Sequence, residues 1–175
     1  PFPNGRVVLV DQNSTSSAED GTTANPYKTI QAALNAKPTA VDTATAFSPW
    51  VLNVAAGFYD EALTIPASGI FAIMVAGGGS LGTGAPARSI TYAAQVGPFS
   101  EPSILTISFL TVTGGITVST VGAGDAVSVT LINSGCDLLL DGTGIVTPGN
   151  GQLSVDQGNF KNGIDFNGNA KVVNC

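Results

Sequence analysis

The chain has 175 residues, enough for one hydrophobic core and too few to expect two domains, so 1–175 reads as a single unit. Hydrophobic residues make up 43 %, which argues against disorder, whereas charged residues reach only 10 %, well under the usual share of about a quarter. A net charge of −6 with six Lys and Arg argues against nucleic acid, the lack of histidine removes Ser-His-Asp triads and His-based metal clusters, and no apolar run approaches the ~18 residues of a membrane span.

Pro1 stands at the start with no signal-peptide pattern behind it, which reads as a processed product or a fragment. Val7-Val8-Leu9-Val10 forms a first short strand ending at Asp11. A polar loop follows over 12–24, with Asn13-Ser14-Thr15 as a glycosylation sequon that matters only in a eukaryotic secretory route. The segment 26–36 predicts the one convincing helix. Asn25 serves as N-cap, Pro26 sits at the first helical position, Tyr27, Ile30 and Leu34 share an apolar face, and Pro38 lies past the end. Residues 37–49 connect to a strand at 50–55. Gly57-Phe58-Tyr59-Asp60-Glu61 turns the chain into another strand at 62–65, which Pro66 stops.

Short apolar runs then recur at 70–76, 89–93, 104–107, 110–113, 116–120, 126–132, 137–140, 145–147, 152–155 and 170–173, separated by Gly, Asn, Asp or Pro. Many alternate apolar residues with Thr or Ser, as in Ile116-Thr117-Val118-Ser119, a period of two that buries one face. No amphipathic helix lies between them, so a βαβ sheet is not supported. A sandwich and a solenoid both fit, and the turn dipeptides Asp20-Gly21, Asp141-Gly142 and Asn162-Gly163 leave the choice open. The Gly-rich stretch 77–84 lacks the Lys-Ser/Thr of a phosphate cradle and reads as a flexible loop. Cys136 and Cys175 show no metal-ligand spacing; they are either two buried thiols or a disulfide between stacked turns of chain.

Val10-Asp11, Asn25-Pro26-Tyr27-Lys28-Thr29-Ile30-Gln31-Ala32-Ala33-Leu34, the strand at 50–55, Gly57-Phe58-Tyr59-Asp60-Glu61 and Leu63-Thr64-Ile65 come in an order and spacing that resemble the opening of the pectin-lyase-like right-handed parallel β-helix proteins, pectin methylesterases included. The resemblance implies an all-β right-handed parallel β-helix, a solenoid whose first turn is capped by the short N-terminal helix. That opening heads lyases, esterases, hydrolases and virion spikes alike, so it implies fold rather than function.

Within the same resemblance, Asp165-Phe166-Asn167-Gly168-Asn169-Ala170 is similar to the stretch around the nucleophilic aspartate of pectin methylesterases. It would make Asp165 the nucleophile, with Asp141 the nearest stand-in for the general acid and Asp125 near the place of a substrate-facing Gln. The family's middle Ile-Phe, its Gln-Asp-Thr-Leu and its Arg-Pro-Trp are missing, and Arg6 and Arg88 are the chain's only arginines. The plainer reading makes Asp165 a solvated side chain between turns. Asp137, Asp141, Asp156 and Asp165 would bind calcium only if stacking lined them up, and calcium wants about six to eight oxygen ligands. Phe58, Tyr59 and Tyr92 are candidate sugar-stacking residues, although aromatics at 7 % of a chain are more often core.

The expected function is thus a non-catalytic structural or surface module: a virion fibre, spike or capsid-associated part, or a cell-surface β-helix. Its partners would be further copies as a homotrimer or larger shell, and polysaccharide, with no nucleic acid, cofactor or metal, in an extracellular or virion-surface setting. The alternative is a carboxylate-dependent polysaccharide esterase or lyase.

Overall fold

The computed structural model describes residues 6–36, 49–67, 69–82, 86–95 and 103–173. In chain order the elements are β1 (Arg6–Val10), α1 (Ile30–Asn35), β2 (Trp50–Val54), β3 (Gly57–Tyr59), β4 (Leu63–Ile65), β5 (Ile70–Leu81), β6 (Ile90–Ala94), β7 (Ser103–Val112) and β8 (Ile116–Thr120). They continue with β9 (Val127–Ile132), β10 (Gly135–Cys136), β11 (Leu140–Gly144), β12 (Gly151–Asp156), β13 (Asn159–Phe160), β14 (Ile164–Phe166) and β15 (Asn169–Val173). The protein is mostly parallel β-sheet with one helix: all pairings between these strands are parallel. A sandwich of hairpins is therefore excluded for the described residues, and Asp141-Gly142, which reads as a hairpin turn in sequence, lies inside β11.

The strands form three ladders. One sheet runs β1-β2-β5-β7-β9-β12-β15, and β3, β10 and β13 join it through the C-terminal halves of β5 and β7. A second sheet runs β14-β11-β8-β6-β4. From β7 onward the chain visits the ladders at a constant interval: Leu105, Val129 and Leu153 are register partners 24 residues apart (105 to 129, 129 to 153). The corner between the first two ladders has the same spacing. Phe109, Asn133 and Gln157 all adopt positive φ, at 60°, 47° and 56°. Asn tolerates this left-handed conformation, but a bulky Phe is uncommon there, so the surrounding ladder must hold it. Buried Ser134 supports the corner, donating to the Ile132 carbonyl (2.9 Å) and accepting from Leu110 N–H (3.2 Å). In β5 the corner is looser, and Gly77 and Gly78 supply the positive φ.

Alternation sends one column of each ladder inward. Val8, Leu52, Ile73, Ile107, Leu131 and Val155 stack in register and are all buried. Leu63, Ile90, Ile116 and Leu140 do the same from the second sheet, and both sets meet in a single core. Each such side chain contributes roughly 1.5–3 kcal/mol on burial.

The helix begins later than its sequence suggests. Residues 25–27 are drawn onto the outer edge of β1, where Tyr27 N–H donates to the Leu9 carbonyl (2.9 Å) and Asp11 N–H to the Tyr27 carbonyl (2.8 Å). Thr29, not Asn25, is consequently the N-cap, its hydroxyl accepting from Ala32 N–H (3.1 Å). Asn25 instead closes a turn with Asp20 and Ser16. The helix packs against β1, β2 and β4, with Ile30, Ala33 and Leu34 buried. Other boundaries move too. Gly57–Tyr59 is a strand rather than a turn, the strand expected at 137–140 is β11 at Leu140–Gly144, and the run 145–147 is not a strand. The stretch 70–76 extends through Gly77-Gly78-Gly79 to Leu81, so much of the expected Gly-rich loop is ladder. The connection 37–48 with Pro38, the loop residues 83–85 and Cys175 lie outside the described residues.

Candidate functional site

The outward column of the second sheet carries Thr64, Thr91, Thr117, Asp141 and Asp165 in register. Asp141 and Asp165, far apart in sequence, therefore stand on adjacent strands about 4.8 Å apart and on the same face. Asp141 is already committed: its Oδ1 accepts from the Thr143 hydroxyl (2.7 Å) and N–H (2.9 Å). Those bonds hold its carboxyl below the usual carboxylate range. A general acid needs the opposite shift. Asp165 is exposed. Asp125 stands apart from the pair. It is buried in the turn after β8, its Oδ2 accepting from Gly122 N–H (2.6 Å), so it holds a turn together.

The remaining carboxylates do not line up. Asp137 pairs with Lys161 at 2.9 Å, and Asp156 lies on the first sheet beside Ile132 and Val173. Among the described residues no three His, Cys, Asp or Glu side chains come together to hold a metal ion.

Of the three aromatic candidates, Phe58 is 65 % exposed, whereas Tyr59 and Tyr92 are buried in the core. The Tyr59 hydroxyl donates to the Ala55 carbonyl (3.0 Å). Burial pushes the Tyr92 phenol up to about 12, and its neighbour Ser103 donates to the carbonyls of Ala67 (3.1 Å) and Gln95 (2.6 Å). Neither tyrosine presents a ring face to solvent. Cys136 is buried, with its thiol donating to the Leu138 carbonyl (2.9 Å) and pushed up to about 11 by burial, so it is protonated and unreactive at neutral pH.

Two features escape a linear reading. The first is how the starting edges of all three ladders are closed. The loop at 21–27 covers β1. The Gln31 side chain covers β4, its Nε2 donating to the Thr64 carbonyl (3.1 Å) and its Oε1 accepting from Thr64 N–H (2.7 Å). The Gln12 amide covers β3, oriented with its NH₂ toward the Phe58 carbonyl (2.5 Å) and its oxygen toward Phe58 N–H (3.3 Å). Glu61 completes the arrangement. Its carboxylate accepts from Ile30 N–H (2.7 Å) and Gln31 N–H (2.9 Å), tying the helix start to the β3–β4 connection. Burial raises this carboxyl above its ordinary value despite those two bonds.

The second is a shallow cavity of about 120 Å³ on the β7–β10–β13 ladder, where the side chains of Thr111, Asn133, Asp137, Gln157 and Asn159 converge. Its sequence signal is the 24-residue interval, which stacks Asn133 above Gln157 and places Gly135 between Thr111 and Asn159. No family model, curated protein or solved structure matches the chain. Among the described residues no helix is long and apolar enough to cross a membrane.

Proposed function

We propose that the chain is a non-catalytic structural module: a right-handed parallel β-helix of the pectin-lyase-like type that serves on a virion or cell surface. The observation that carries this reading is the difference between its ends. Three parallel ladders start from edges closed by α1, Gln12, Gln31 and the 21–27 loop. They finish in β15, whose residues are all exposed, Val172 and Val173 among them. An exposed strand edge of this kind is a surface onto which further chain, a partner or another copy can stack. With charged residues at only 10 %, the surface has little repulsion to oppose association. Of these occupants we take further copies, as a homotrimer or a larger shell. Light scattering at micromolar concentration tests it: the expected mass is a multiple of 17.5 kDa, and a clean monomer would sink the assembly.

A second reading has one observation in its favour, the in-register pair Asp141 and Asp165. Paired outward carboxylates are what a polysaccharide esterase or lyase would build upon. The lowered pKa of Asp141 counts against it, because the acid partner would already be ionised. The expected result is no methanol release from pectin; release that disappears in Asp165→Asn would make this the better reading.

A further inference from the structure

The outward column of the β3–β5–β7–β10–β13 ladder runs Phe58, Ser80, Thr111, Gly135, Asn159 in register. Phe58 is 65 % exposed, and Phe109, on the neighbouring corner column with Asn133 and Gln157, is 47 % exposed. Phe58 thus stands at one end of a track whose other end is the cavity lined by hydroxyl and amide residues, and Phe109 stands beside that cavity, on the same strand as Thr111. We propose that this track binds an extended neutral polysaccharide.

The chemistry of the lining selects the class. Amides and hydroxyls both donate and accept, which is what sugar hydroxyls require, and phenyl faces pack on the apolar C–H faces of sugar rings. Thr111, Asn133, Gln157 and Asn159 are all exposed, so their polar groups are available to a ligand. Charge excludes the acidic alternative. The cavity lining holds one carboxylate, Asp137, and no Lys or Arg, while Lys161 is bonded to Asp137 at 2.9 Å in a chain of net charge −6. A uronate chain would meet net repulsion, since the one cation beside the lining, Lys161, is already paired with Asp137.

Size selects a polymer over a small ligand. A cavity of about 120 Å³ is below the roughly 300–1,000 Å³ of an enclosing small-molecule site. From β3 to β10 the column advances three strand spacings, about 14 Å, which suits several weak subsites in a row. Gly135 keeps the floor low: a Cβ there would run into the backbone of Asn159. A surface module of the kind proposed above would then hold a stated class of partner. Retention on glycan tests the partner and scattering mass tests the module, so either fails without the other.

Affinity electrophoresis of the whole chain through gels containing hydroxyethylcellulose, xylan, glucomannan or polygalacturonate decides the matter. The expected result is retardation by at least one neutral polymer and none by polygalacturonate. Asn133→Gly with Asn159→Ala should weaken retention about tenfold at an unchanged melting temperature, since both side chains are exposed and Gly suits the positive φ at 133. Phe58→Ala, at a still more exposed position, should weaken it comparably and guards against a folding defect in the double variant. Retardation by polygalacturonate alone, by no neutral polymer, or equally by wild type and both variants would overturn the proposal.

Discussion

The two ends of the ladders begin and finish the same inward column, yet they are treated differently. At the start, Val8 is buried beneath the helix and the 21–27 loop; at the finish, Val172 in the same column is 46 % exposed. Every edge at the start is closed by a group outside the repeat: a loop backbone on β1, and side-chain amides acting as single peptide units on β3 and β4. Among the described residues, the last strands of the ladders are β13, β14 and β15. At the start, then, the ladders are closed by dedicated residues and not by stacking alone.

The sharpest way to break that contrast is to place the same charge at both ends. Leu34→Asp puts an unpaired carboxylate where the helix meets the core, at a fully buried position, and should cost roughly 3–5 kcal/mol in denaturant unfolding. Melting like the parent would mean that α1 closes nothing. A milder lesion is Glu61→Ala, which frees the N–H groups of Ile30 and Gln31 and should cost about 1–2 kcal/mol.

Glu61 also gives the closed end a pH signature. Its folded pKa is raised above 4.5, chiefly by burial, so the folded state keeps the proton longer than the unfolded state does. The associated stability is complete below pH 4.5 and is lost as pH rises through the folded value. As pH falls through the folded value toward 4.5, acidification should therefore favour the wild type relative to Glu61→Gln, as read by paired melting curves. Asp141 has the opposite sign, its contribution fading as pH falls. The smallest expected effect is Val172→Asp at the bare end. Unfolding should change by about 0.5 kcal/mol or less, while the scattering mass should fall toward that of a monomer. A loss of stability matching that of Leu34→Asp would erase the difference between the ends.

Period-two alternation in runs such as Ile116-Thr117-Val118-Ser119 made the strands and their buried faces readable in sequence. The helix was readable for its apolar face but not for its first residue, because a local signal, Asn25-Pro26, lost to long-range hydrogen bonds that pull 25–27 onto β1. The shortest strands, β10 and β13, carry two residues each, too few for any periodicity, and exist through register with β7. Which of Phe58, Tyr59 and Tyr92 faces the core could not be told from sequence, because one step of register decides inside from outside; Tyr59 and Tyr92 take the core reading and Phe58 the surface one. Of the carboxylates, Asp141 and Asp165 could not be paired without the 24-residue interval that joins them (141 to 165). Glu61, Gln12 and Gln31 leave no linear signal at all, since their partners are backbone groups of other elements.

That interval makes length an adjustable property. The residues 127–150 supply one strand to each of the three ladders, and the next unit begins in register at Gly151 opposite Val127. An in-frame duplication of those residues adds one layer while leaving the Gln12, Gln31 and Glu61 closure and the β15 edge as they are. The ladders then lengthen in increments of about 4.8 Å, and selection on their length acts by copying whole layers rather than by altering the closure at the start.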